Sequence, residues 1–324
     1  MAQRKVLIIK HGAIGDIVHT SIIAQAIKEA HPDWKIDFLV GESYVSLLDN
    51  HPYIDKVISW KHSQNKTFKG FLKLFIEIFK ARYDYIFNPT NSLKTIILST
   101  LTLPKKSIRR KNHGGLWVED YFKMAKKAIP EVNMPNRLTL GISDIANEKI
   151  EKELEGYKKP FFVIAPGRNI DNIRQGRLWN IQKWNELTEL LLNKYNGTVF
   201  VLGGKDEKEN HKLLEKENVV IKSGDYSLSE SNAMLSKADL MISGDTGPLH
   251  IASAFNVKTL ALLGSTSPKQ IKPYGENGNY ISADFNCLYC WNKKCKLMED
   301  GKIYTPCMEA LSPKKVIEKI EEIF

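Results

Sequence analysis

The sequence predicts two successive α/β domains, each a doubly wound parallel sheet. Three observations carry that prediction: short β-rich runs alternate with helical stretches, the alternation restarts after a polar segment near residue 155, and 324 residues are enough for two domains of ordinary size. A hydrophobic content of 43% with 26% charged residues fits a soluble globular protein and excludes a disordered or fibrous one. No apolar run approaches the roughly 18 residues that would span a bilayer. Met1-Ala2-Gln3-Arg4 passes directly into a strand, leaving no room for a signal peptide, so a cytoplasmic location is expected. The net charge of +10 favours anionic partners: nucleic acid, anionic lipid surfaces or phosphorylated substrates. Nucleic-acid binding rests on charge alone, with no recognition motif, and is not expected.

The elements follow in order. Lys5 to Lys10, Lys35 to Val40, Lys56 to Trp60 and Tyr83 to Asn88 read as strands, with helices at Asp16 to Ala30 and Phe68 to Ala81. A Lys- and Glu-rich stretch from Asn147 to Lys159 ends at Pro160, which sets the expected domains at 1–155 and 156–324. Strands then recur at Phe161 to Ala165, Thr198 to Leu202, Val219 to Ile221, Leu240 to Ser243 and Thr259 to Leu263. Ser312-Pro313 opens a last helix with Val316, Ile320 and Ile323 on one face.

Ligands of open parallel sheets bind at the carboxyl ends of strands, so the turns after strands are where chemistry is expected. Gly244-Asp245-Thr246-Gly247-Pro248-Leu249-His250 is the most informative of these turns. Thr246 can cap, Gly247 lets a ligand approach the backbone, and Pro248 suits an early helical position, so the open amides can hold a phosphate. A well-capped turn with no ligand is the alternative. After the first strand, Gly12-x-x-Gly15-Asp16 matches neither the dinucleotide G-x-G-x-x-G nor a P-loop. Asp16 there reads as a functional carboxylate or as a simple N-cap, and His11 and His19 as catalytic or structural. Ala165-Pro166-Gly167 precedes Arg168, Arg174 and Arg177, which could clamp a diphosphate or form a solvated basic loop. Cys287, Cys290, Cys295 and Cys307 are the only cysteines. In a cytoplasmic chain their spacing admits a structural zinc with four thiolate ligands, the alternative being reduced, unligated thiols.

Gly15-Asp16-x-x-His19-Thr20, Ala165-Pro166-Gly167 with Arg177-Leu178-Trp179, Leu202-Gly203-Gly204 and the Gly244 to His250 stretch occur together in that order. In order and spacing they resemble the family 9 glycosyltransferases, which include the bacterial lipopolysaccharide heptosyltransferases. The resemblance spans nearly the whole chain. It implies a GT-B fold of two Rossmann-like domains facing a cleft, the first binding the acceptor and the second a nucleotide-sugar, most commonly ADP-L-glycero-D-manno-heptose. It implies Asp16 as catalytic base, and a donor site of Gly167, Arg177, Tyr226, Asp245, Thr246, Gly247, Leu249 and His250, with Gly15 and His19 on the acceptor side. The family usually carries lysine where this chain has Arg177, which keeps the charge and changes its reach. Lys94, Arg109, Arg110 and His113 are cationic candidates for the acceptor, or plain surface residues. The implied reaction inverts the anomeric centre: a carboxylate takes the acceptor's proton while Arg177 and the Gly247 helix start stabilise the leaving group, with no required cofactor. A lipopolysaccharide core or related anionic glycan at the cytoplasmic face of the inner membrane is the implied acceptor. A non-catalytic nucleotide-sugar-binding protein and a GT-B-type epimerase are the competing readings.

Overall fold

A computed structural model describes residues 3–61, 63, 67–90, 92–110, 114–167, 177–291, 295–299 and 302–324. The chain divides into two compact units, Met1–Ile142 and Ser143–Phe324.

The first unit is built on a five-stranded parallel sheet in the order β3-β2-β1-β4-β5. Its strands are β1 Lys5–Ile9, β2 Lys35–Gly41, β3 Lys56–Trp60, β4 Tyr85–Asn88 and β5 Lys106–Arg109. Val6 to Ile9 are fully buried, the continuous apolar run that a central parallel strand requires. Its helices are α1 Ile14–Thr20, α2 Ile22–Ala30, α3 Phe68–Ala81, α4 Leu93–Leu101 and α5 Trp117–Ala128. The single helix expected from Asp16 to Ala30 is divided at Ser21. Two hydroxyls turn back onto the helix there, Thr20 Oγ1 donating to the Asp16 carbonyl (2.6 Å) and Ser21 Oγ to that of Val18 (2.8 Å), a pattern that bends helices. The sequence pattern also misses β5, because only Ile108 of its four residues is buried on this edge strand.

The second unit carries a six-stranded parallel sheet in the order β11-β10-β9-β6-β7-β8. The strands are β6 Phe161–Ala165, β7 Thr198–Val201, β8 Val219–Ile221, β9 Leu240–Ser243, β10 Lys258–Leu262 and β11 Gly278–Ile281. Its longer helices are α6 Asp144–Leu154, α7 Ile181–Tyr195, α8 Leu228–Ser236, α9 Gly247–Ala254 and α10 Pro313–Ile323. Helix α10 starts as expected, with the Ser312 hydroxyl accepting from the Lys315 amide, and buries Val316 and Ile320. One core joins Phe162, Ile164, Trp179, Trp184 and Leu240 to that helix. The units part at Ile142/Ser143, ahead of the polar stretch at 155, because Ala146, Ile150 and Leu154 form a buried i, i+4, i+8 stripe. That stripe packs α6 on α8 of the second unit, and the Lys and Glu residues that mark the segment as a linker are its exposed face.

Each sheet has one place where strand order reverses: between β1 and β4 in the first, between β6 and β9 in the second. Loops leaving adjacent strands in opposite directions open a crevice at their carboxyl ends. The turn that carries Asp16 lies at the first crevice, and Gly167 and the Gly244 to His250 stretch lie at the second.

Candidate active site

In the second unit, the chain leaves β9 through Gly244-Asp245-Thr246 and enters α9 with Pro248 in its first turn. Thr246 occupies the N-cap position, yet its hydroxyl pairs with Ser243 Oγ (2.7 Å) and makes no side-chain cap bond to the helix amides. The helix start is therefore not closed by its own cap, and its amides and dipole remain available to an anion. Gly244 sits close to the neighbouring backbone, since a Cβ there would stand 3.0 Å from the Arg177 carbonyl oxygen, a tight contact. Gly167, at the end of the neighbouring β6, takes a left-handed φ of 70°, a conformation that favours glycine.

Arg177 comes from a distant segment to meet Asp245 and His250 here. Arg177 Nη1 lies 2.9 Å from Asp245 Oδ2, and His250 Nε2 lies 3.4 Å from Asp245 Oδ1. Leu249 and His250 are buried and fix the helix in place. The Arg177 guanidinium also stands over the Trp291 ring, 5.5 Å from its centroid. Its Nε is buried with no hydrogen-bond partner among the described residues. A half-buried cation, with donors beyond the one that Asp245 engages, beside an open helix start can bind a phosphate by charge-assisted hydrogen bonds.

Tyr226 belongs to a different group. Its hydroxyl donates to Glu153 Oε1 (2.8 Å), and Lys222 Nζ lies 5.6 Å from its ring centroid. Burial and the Glu153 carboxylate push the Tyr226 phenol well above its ordinary pKa. Arg168 and Arg174 lie outside the described residues.

In the first unit, Asp16 stands at the third position of α1, whose N-cap is Ala13. The carboxylate is thus not the cap; it pairs with Lys10 Nζ at 2.7 Å and accepts from the Tyr121 hydroxyl at 3.3 Å. It remains about a quarter exposed. Burial, reinforced by the Asp16 charge, raises the Tyr121 pKa well beyond its usual value, so this phenol acts as a donor. The Arg110 guanidinium lies 4.9 Å from the Tyr121 ring and 3.4 Å from Asp120, so it supports the residues behind Asp16. Gly15 lies within α1, and His19 is buried on the same helix. Lys94 Nζ lies over the Phe71 ring, Arg109 ends β5, and His113 falls outside the described residues.

The four cysteines are free thiols: Cys307 buried, Cys290 exposed, Cys287 and Cys295 between. Burial first, with Cys287 and Cys295 nearby, raises the Cys307 thiol pKa. Among the described residues no group of three or more His, Cys, Asp or Glu is placed to hold a metal, so the thiols as they stand do not form the four-thiolate zinc site that their spacing admits.

The sequence motifs single out neither Lys10, Tyr121 nor Trp291. Lys10 was legible as the last residue of the strand run, whereas Tyr121 and Trp291 reach the site from distant segments that carry no glycine turn of their own.

Comparison with known proteins follows the same geometry. Residues 71–299 match the family model described as glycosyltransferase family 9 (heptosyltransferase). Lipopolysaccharide heptosyltransferase 1 of Pseudomonas aeruginosa is 23% identical, the alignment covering 98% of this chain and 97% of that protein. Lipopolysaccharide heptosyltransferase 3 of Escherichia coli K12 is 25% identical over 82% and 86% of the two chains. Among solved structures, a family 9 glycosyl transferase from Veillonella parvula superposes with a TM-score of 0.81 at 16% identity, covering 99% of this chain and 97% of that one. The E. coli ADP-heptose heptosyltransferase II gives a TM-score of 0.78 at 17% identity and 98% coverage of both. These likenesses establish a GT-B fold. Among the described residues no helix is long and apolar enough to cross a membrane.

Proposed function

Since the chain belongs to glycosyltransferase family 9, we propose that it moves a heptose from an ADP-activated donor onto a lipopolysaccharide core or related anionic glycan, with inversion. It is a glycosyltransferase by family; donor, acceptor and residue roles are our reading. The observation that carries it is the grouping of Arg177, Asp245 and His250 at the uncapped start of α9. The names of the relatives support the sugar and acceptor, lipopolysaccharide heptosyltransferases among them.

On this reading the second unit is the donor domain. The amides at Gly247 and the Arg177 guanidinium take the diphosphate, Gly167 gives it room, Gly244 lets the Arg177 backbone approach, and Asp245 holds the Arg177 side chain in place. Charge that develops on the leaving diphosphate is met by fixed donors, so the step needs no metal. Tyr226, held through Glu153, borders the nucleoside. The first unit is the acceptor domain. Asp16 accepts the proton of the attacking hydroxyl, with Lys10 and Tyr121 fixing the carboxylate, and Gly15 and His19 shape its helix. The reaction takes place at the cytoplasmic face of the inner membrane.

Native mass spectrometry against a panel of ADP-, UDP- and GDP-linked sugars tests the donor assignment. Selective retention of the ADP-linked sugar is expected. Retention of a UDP- or GDP-linked sugar in preference would overturn it. Donor consumption in the absence of any acceptor, with a changed sugar configuration, would favour the epimerase.

A further inference from the structure

Helix α3 of the first unit has more apolar surface than its sheet can cover. Leu74 and Ile78, with Phe71 and Phe75 partly buried beside them, pack on Leu7, Ile9 and Trp60. A second row, Phe68, Leu72, Ile76 and Phe79, follows the i, i+4, i+8, i+11 spacing of one helix face and is exposed, Phe68 to 81%. Lys69, Lys73 and Lys80 come one residue after Phe68, Leu72 and Phe79, so they line the flank of this ridge and are exposed, while Glu77, in the same position after Ile76, pairs with Lys56 at 3.2 Å. Helix α4 repeats the arrangement: Leu93 is 73% exposed and Leu101 58%, with Ile97 between them at i+4, and Lys94 Nζ reaches the Phe71 ring of α3. Leu103, just beyond α4, is 76% exposed. Exposed apolar residues scattered singly mean little, but an aligned ridge flanked by lysines is the pattern of a helix lying in a lipid interface.

We propose that α3 and α4 dock this protein on an anionic lipid surface, Phe68, Leu72, Ile76 and Phe79 entering the boundary between headgroups and acyl chains while Lys69, Lys73 and Lys80 meet the headgroups. Long lysine stems allow that geometry, with the apolar part along the ridge and the charge at the phosphates. The net charge of +10 is complementary to such a surface. The proposal deepens the membrane-face part of the proposed function and uses none of its donor chemistry, so the two fail separately.

The test is flotation of the full chain with vesicles of phosphatidylcholine alone or mixed with phosphatidylglycerol, without donor or acceptor. Binding to the mixed vesicles, weakened by salt and at least tenfold weaker on phosphatidylcholine alone, is expected. Leu72→Ser/Ile76→Ser/Phe79→Ser should bind at least tenfold more weakly with an unchanged melting temperature, since these side chains are already exposed. Lys69→Gln/Lys73→Gln/Lys80→Gln should lose affinity for the anionic vesicles by roughly fivefold per charge removed. Wild-type protein that ignores the vesicles, or variants that bind as well as wild type, would overturn the proposal. So would a dimer, seen by sedimentation equilibrium, that the apolar triple variant dissolves while neither protein binds vesicles.

Discussion

Replacing Arg177 by alanine separates two jobs that its position allows. The guanidinium has five N–H donors, and one nitrogen, Nη1, is engaged by Asp245 at 2.9 Å. The side chain remains about a fifth exposed, so a diphosphate can gain at least one charge-assisted hydrogen bond from its remaining donors. Such a bond contributes about 1.5–3 kcal/mol, so Arg177→Ala should weaken ADP binding by roughly 10- to 150-fold. Removing the cation also leaves the Asp245 carboxylate, with a side chain only 11% exposed, facing the incoming phosphates, which acts in the same direction. Titration calorimetry with ADP measures the sum, and the double variant Arg177→Ala/Asp245→Asn divides it. If Arg177 only neutralises Asp245, the double variant regains wild-type affinity. Direct binding predicts that most of the loss persists. An unchanged ADP affinity in Arg177→Ala, or full recovery in the double variant, would refute the reasoning.

Three further outcomes are expected. Burial lowers both His51 and His211 to a pKa of about 4, below the ordinary value of 6.5, so each takes up its proton more readily unfolded. Stability is therefore complete above pH 6.5 and lost as pH falls toward 4, by up to roughly 3 kcal/mol per histidine; melting curves from pH 7 to 4 should show the decline, and His211→Gln with an unaltered slope would contradict it. Gly244→Ala brings a Cβ to 3.0 Å from the Arg177 carbonyl, so ADP affinity should fall several-fold in a folded protein, and normal affinity would show that this close approach is unimportant. With no metal-holding group among the described residues, protein purified without added metal should contain far less than one equivalent of zinc and keep its melting temperature with a chelator; a full equivalent would restore the four-thiolate reading.

Much of this architecture was legible because parallel strands buried on both faces leave continuous apolar runs. Phe161–Ala165, Leu240–Ser243 and helix α3 fall where the pattern puts them. Edge strands hide: β5 buries one residue in four, and β11 has Gly278 and Asn279 in place of a β-branched run. Composition puts the boundary near residue 155 and the compact units part at Ile142/Ser143, since the lysines and glutamates of α6 accompany a buried stripe visible only at helical spacing. For the site, the glycine turns pointed to Asp16, Gly167 and Asp245, because a turn chemistry is local. That Arg177 meets Asp245, or that Tyr121 reaches Asp16 across 105 residues, is a property of strand order and has no local signal.

The central claim is that Asp16 is the base of a heptosyl transfer, and the most direct test is turnover of Asp16→Asn with ADP-heptose and a lipopolysaccharide core acceptor. Asparagine is nearly isosteric and keeps an oxygen to accept from the Tyr121 hydroxyl, so Asp16→Asn should stay folded, which a melting curve checks. Transfer, followed by mass spectrometry of the acceptor, should fall by about 10²–10⁴-fold while ADP affinity stays within a factor of about two. Near-wild-type transfer by Asp16→Asn would contradict the account.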